Sequence, residues 1–208
     1  MEAAVDSTLS PGDTVVVVRA GKFGERWEEI CAAYGLTVVP VIAPFGAPVP
    51  AERVAEALAA HPSARAVLMQ HSESSTGVLH DVQGIARVTR NTPAILLVDA
   101  VSSLGIADLP MDAWGVDVVI AGSQKGLMLP PGLSFCALSD KAWGHVKTSR
   151  LPKYYFDIAA EHRAVARNEA HFTPAVSIVV GLREVLRMLE TEGLANVFAR
   201  HERVARAT

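Results

Sequence analysis

The sequence predicts an α/β fold in three layers, with helices on both faces of a mostly parallel sheet. Short apolar runs rich in Val, Ile and Leu recur along the chain, each followed by a polar turn and then, for most, a stretch with helical spacing. The runs are continuous instead of alternating with polar residues, as strands buried on both faces require. Composition agrees: half of the 208 residues are hydrophobic and 20% are charged, with 15 Gly and 12 Pro. That is a globular balance, on a chain long enough to enclose a large core.

The first run, Thr14–Arg19, leads through Gly21-Lys-Phe-Gly24 to an amphipathic helix over 25–34. Leu36–Ile42 is the second, followed by a Pro/Gly loop and a helix over 51–60. Ala64–Gln70 is the third, with a helix over 82–89. Ala94–Val98 and Val116–Ala121 are the fourth and fifth, and Leu133–Leu138 follows a Gly/Pro loop. From Leu151 the character changes. Lys153-Tyr-Tyr-Phe156 reads as a connector, and Ser177–Glu190 as a helix with Ile178, Leu182, Val185 and Leu189 on one face. Leu194–Thr208 is helical without a Gly or Pro stop signal, so the chain is expected to break off within a longer helix. Two units are expected, 1–150 and 151–208.

Composition also narrows the partners. With 19 Lys+Arg against 22 Asp+Glu and no basic block, neither nucleic acid nor an anionic membrane is the expected partner. No apolar run approaches the length of a membrane span, and Met1–Asp6 is acidic where a signal peptide is basic. Cys31 and Cys136 lie far apart with no CxxC, which points to a reducing, cytoplasmic setting without disulfides. Cys136, inside an apolar run, is expected in the core. His71, His80, His162 and His171 lack metal-ligand spacing and are expected at the surface or at caps; no metal is expected.

In an open parallel sheet, ligands bind beyond the carboxyl ends of the strands. There the chain places His71-Ser-Glu-Ser-Ser-Thr-Gly77, rich in hydroxyls, then Asp99, and then Gly122-Ser-Gln-Lys-Gly126. Taken singly, Asp99 suits a turn, Lys125 a solvated loop and Ser74-Ser-Thr76 a helix cap. Together, on successive strand ends, they suit pyridoxal phosphate. That cofactor needs a lysine amine to bond its aldehyde, a carboxylate to keep its ring nitrogen protonated, and hydroxyls for its oxygens. No GxGxxG, GxxxxGK[ST] or GxSxG sequence competes.

His71–Gly77, Val98-Asp-Ala-Val-Ser-Ser-Leu-Gly105 and Ala121–Gly126 followed by Pro130-Pro-Gly132 resemble the class V aminotransferases of fold type I, and within them the alanine–glyoxylate and serine–glyoxylate branch. The resemblance runs from Ser10-Pro-Gly-Asp13 to the helices after Thr173. It implies Lys125 as the lysine bonded to the cofactor and the carrier of the substrate proton, and Asp99 as the partner of the pyridinium nitrogen. It also implies Ser74 beside the phenolic oxygen, Ser123 and Gln124 beside the phosphate, and Phe23 stacked on the ring. Thr173 would reach the phosphate of a partner subunit, so a homodimer with shared sites is implied. The activity implied is transamination between an alanine- or serine-type amino acid and a 2-oxo acid such as glyoxylate or pyruvate.

Three departures accompany the match. The family's Gly/Ser/Thr-rich phosphate turn would fall before Met1, its substrate-binding arginine belongs to a further C-terminal domain, and Ala170 stands where a tyrosine is common. Residues 1–150 are therefore expected to be the central part of the cofactor-binding large domain. Residues 151–208 would be the connector and helices leading toward an absent C-terminal domain. The alternatives are another class V enzyme, a lyase or an aminophosphonate transaminase, and a truncated, non-catalytic remnant. A cysteine desulfurase is disfavoured, since its catalytic cysteine rides on a mobile loop.

Overall fold

The computed structural model describes residues 1–208. Helix α1 (Glu2–Thr8) precedes β1 (Thr14–Arg19), α2 (Lys22–Ala33), β2 (Thr37–Ile42), α3 (Ala51–Ala60) and β3 (Ala66–Gln70). A two-stranded hairpin, β4 (Ser72–Glu73) and β5 (Val78–Leu79), leads to α4 (Val82–Thr89) and β6 (Ile95–Asp99). Then come α5 (Met111–Trp114), β7 (Val118–Gly122), β8 (Ser134–Leu138) and α6 (Asp140–Val146). Helices α7 (Ile158–Val165), α8 (Val176–Glu192) and α9 (Leu194–Ala207) close the chain.

Six strands form one sheet in the order β2-β1-β3-β6-β7-β8, parallel except for β8, which runs antiparallel to β7. This is the predicted three-layer α/β arrangement. The central strands β3, β6 and β7 are buried along their whole length. Strand alternation sends Val67, Leu96 and Val98 to the face covered by α3 and α4, where Val54 and Ile85 meet them. Leu68, Leu97 and Ile120 point the other way, onto Val5 of α1, Trp27 of α2 and Ala142 of α6. Helices α8 and α9 stand apart, packing Val185, Leu189 and Val197 around Leu127 in the loop after β7.

Several expectations need correction. The runs at Leu36–Ile42 and Leu133–Leu138 are not buried on both faces: they form the edge strands, and β8 has no buried residue. Cys136 therefore lies exposed on β8 instead of in the core, while Cys31 is buried. His71 and His80 are buried, each only 3% exposed, instead of lying at the surface. Helices α1, α5, α6 and α7 and the β4–β5 hairpin were not predicted; they are short, with little apolar periodicity to mark them. Two of these helices do carry a legible cap. Ser139 Oγ accepts from the Ala142 N–H at the start of α6, and Asp157 Oδ1 from the Ala160 N–H at the start of α7.

Candidate active site

Asp99 is the last residue of β6, at the centre of the sheet, in register with Gln70 on β3 and Ile120 on β7. The residue is 7% exposed. Oδ1 accepts from the Val101 N–H at 2.8 Å, and Oδ2 accepts no hydrogen bond from the chain. Burial raises the pKa of this acid; the Val101 N–H, the Met1 amine and Arg26 pull the other way, while Glu73 adds to the rise. A buried carboxylate with one oxygen open and no ion pair is suited to a cationic N–H presented from the crevice, and the pyridinium of pyridoxal phosphate is such a group. The residues present fit the cofactor at this point.

The other candidate residues sit in segments that follow three further strands. Helix α2 starts directly after β1 and carries Phe23 in its first turn, half-buried, with the Arg26 guanidinium 4.9 Å from the ring centroid. Ser74 follows β4 and is exposed, with no hydrogen bond inside the chain. The loop after β7 carries Ser123, Gln124 and Lys125. It packs on the loop after Asp99 so closely that any Cβ on Gly126 would overlap the Leu104 carbonyl. Lys125 and Gln124 are exposed, and neither side chain has a hydrogen bond or ion pair within the chain.

Ser123 differs from its neighbours. It is fully buried, its hydroxyl donates to the Pro130 carbonyl at 2.7 Å and accepts from the Leu133 N–H at 3.2 Å, and its own N–H donates to the Leu133 carbonyl. It shapes the loop that presents Lys125. Met128, three residues on, holds φ 55° and donates its N–H to the Lys125 carbonyl at 2.8 Å, which closes the turn. Thr173 is exposed in the segment before α8, and its hydroxyl bonds nothing in the chain.

One residue of the neighbourhood had no assigned task in the sequence. Glu73, fully buried, accepts from the N–H groups of Phe23 and Gly24, each at 3.0 Å. The Lys22 N–H goes to Ser75 Oγ at 2.9 Å. The first three N–H groups of α2 are thus all satisfied from the hairpin segment, and this helix end is closed to a phosphate. The signal available in the sequence was a helix start, Gly21-Lys-Phe-Gly24, with no capping side chain of its own. Elsewhere, a groove of about 720 Å³ between α6 and α7, lined by Trp143, Lys147, His162 and Arg163 among others, touches no strand end and none of these residues.

The aminotransferase class-V family profile matches residues 1–208. The chain belongs to the class V aminotransferase family. It is 46% identical to the L-aspartate–glyoxylate aminotransferase of Paracoccus denitrificans, over 98% of this chain and 52% of that one. It is equally identical, at 46%, to a protein named soluble hydrogenase 42 kDa subunit from Anabaena cylindrica, over 100% of this chain and 55% of that one. Among solved structures, the alanine–glyoxylate aminotransferase of Nostoc sp. superposes with a TM-score of 0.93 at 32% identity, covering 100% of this chain and 55% of its own. The chain spans about half the length of these relatives. Class V aminotransferases are pyridoxal-phosphate enzymes of fold type I, and the observed sheet is the core of that fold. No helix is long and apolar enough to cross a membrane.

Proposed function

We propose that the protein acts in pyridoxal-phosphate-dependent transamination, moving an amino group from an alanine- or serine-type amino acid to a 2-oxo acid such as glyoxylate or pyruvate. The observation that carries this is the pairing of a buried, half-satisfied Asp99 on the central strand with an unpaired Lys125 on the next strand-end loop. When bound, the cofactor supplies the electron sink that makes the α-proton of an amino acid labile. Asp99 holds a proton on the ring nitrogen that faces it. Phe23 covers one ring face, Ser74 donates to the phenolic oxygen, and Gln124 binds phosphate. Ser123 shapes the turn that presents Lys125. Lys125 Nζ would take the α-proton from the substrate carbon and deliver it to the cofactor carbon on the other side of the shared nitrogen, as a positioned general base and acid.

Residues 1–150 serve in this proposal as the central part of the cofactor domain, and 151–208 as the connector to a further domain. Thr173, exposed and unbonded, reaches toward the site of a second copy, so the working form is a homodimer. Two free cysteines suit a cytoplasmic location. The test is an assay of the intact protein with alanine, serine and aspartate as donors and glyoxylate and pyruvate as acceptors. Cofactor-dependent exchange is expected; its absence for every pair overturns the proposal.

A further inference from the structure

Glu73 has no part in the proton transfers above, yet the fold buries its carboxylate completely beside the site. We propose that Glu73 is a positioning residue: it ties the turn presenting Phe23 to the strand end presenting Ser74, and so sets the gap in which the cofactor ring is held. The proposal rests on the functional reading that Phe23 and Ser74 flank that ring.

Both carboxylate oxygens are in use. Oε2 takes the Phe23 and Gly24 N–H groups, each at 3.0 Å, and Oε1 takes the Ser75 hydroxyl at 2.6 Å and the Ser75 N–H at 3.3 Å. Ser75 Oγ in turn accepts from Lys22. The approach is so close that a Cβ on Gly21 would stand 2.5 Å from Glu73 Cδ and 2.6 Å from Ser75 Oγ. On the far side, a Cβ on Gly24 would stand 2.8 Å from Arg19 Cα and 2.9 Å from the Val18 carbonyl. Phe23 is thus fixed between two glycines that admit no side chain.

Capping alone does not require this arrangement. A Ser, Thr or Asn at the helix start accepts from one of these N–H groups locally, without burying a charge, and leaves the rest to water. Glu73 instead reaches across 50 positions of sequence to Phe23. Such a link does one thing that a local cap does not: it fixes the start of α2 relative to the β4–β5 hairpin. Ser74 is the residue after Glu73, and the Phe23 N–H donates directly to the Glu73 carboxylate. Glu73→Gln keeps the shape but turns one acceptor into a donor. Its NH2 group then faces either the Phe23/Gly24 pair or Ser75, and the tie loosens.

The test compares wild type, Glu73→Gln, Phe23→Leu and the double variant in the intact protein. Without cofactor, amide hydrogen exchange at Phe23 and Gly24 is expected to speed about tenfold in Glu73→Gln, with β1 and β3 unchanged. With pyridoxal phosphate, each single variant is expected to weaken the dissociation constant about tenfold and to reduce the induced circular dichroism of the cofactor band. The double variant is expected to be no weaker than Phe23→Leu alone. A Glu73→Gln effect of full size in the Phe23→Leu background overturns the proposal, because Glu73 then acts through its charge near Asp99 or through general stability. Unchanged exchange at both amides in Glu73→Ala, which removes both acceptors, overturns it too. Wild-type cofactor binding by Phe23→Leu overturns the placement of Phe23 on the ring, and the proposal with it. If Glu73→Gln fails to fold, Glu73→Asp, one methylene shorter, carries the same expectations.

Discussion

The backbone N–H of His71 donates to the Asp99 carbonyl at 2.8 Å, the last rung between β3 and β6. On the other side the Ala100 N–H donates to the Ile120 carbonyl, also at 2.8 Å. The backbone bearing the candidate acid is thus clamped from both neighbouring strands, before the chain turns away. A carboxylate placed this way is held by the sheet and not by a loop, which is what a preorganised partner for a ring nitrogen needs.

Asp99→Asn keeps a carbonyl oxygen for the Val101 N–H and removes the negative charge. The fold is expected to survive, with a melting temperature close to wild type. Transamination by the intact protein should fall by orders of magnitude, since the ring nitrogen loses its counter-charge. An unchanged rate removes Asp99 from the site.

Lys125→Ala is expected to abolish transamination while leaving the far-ultraviolet circular dichroism intact, because the Lys125 side chain supports nothing else in the chain. Near-normal turnover in this variant contradicts its assignment as the proton carrier.

The Asp117 side chain links β6 to the start of α6. Oδ2 accepts from the Leu96 N–H at 2.9 Å, and Oδ1 accepts from the Ser139 hydroxyl at 2.7 Å. Asp117→Ala leaves a buried donor on β6 unpaired, for a loss of about 1–3 kcal/mol in denaturant unfolding. A loss well under that range means that the strand finds another acceptor.

Two buried groups give stability an opposed pH dependence. Burial pushes Asp6 up to about 6 from 3.8, so its contribution to stability falls as pH rises through that window. Burial, followed by His80, pushes His71 down to about 4 from 6.5, with Asp108 pulling back, so its contribution rises with pH over that window. Relative to wild type, Asp6→Asn should gain stability between about pH 4 and 6, and His71→Asn should lose it. Melting temperatures across that range check both signs.

The central strands were legible because parallel strands buried on both faces must be apolar throughout, as Ile95–Val98 is. The same rule misplaced Cys136. An apolar run does not say whether a strand has neighbours on both sides, and β8 pairs with β7 alone. Asp99 and Lys125 stood out as candidates because each is a polar residue at or just past the end of an apolar run. Glu73 was not, because its partners at Phe23 and Gly24 lie about fifty positions away and are backbone groups, which leave no mark in side-chain pattern. Ser123 was read as a phosphate neighbour, and the sequence did not show that its hydroxyl holds its own loop.

The most direct measurement is borohydride reduction of the intact protein with pyridoxal phosphate, followed by peptide mass mapping. A pyridoxyl group on Lys125, lost in Lys125→Ala, is the predicted result. A label confined to other lysines, or no label, contradicts the account.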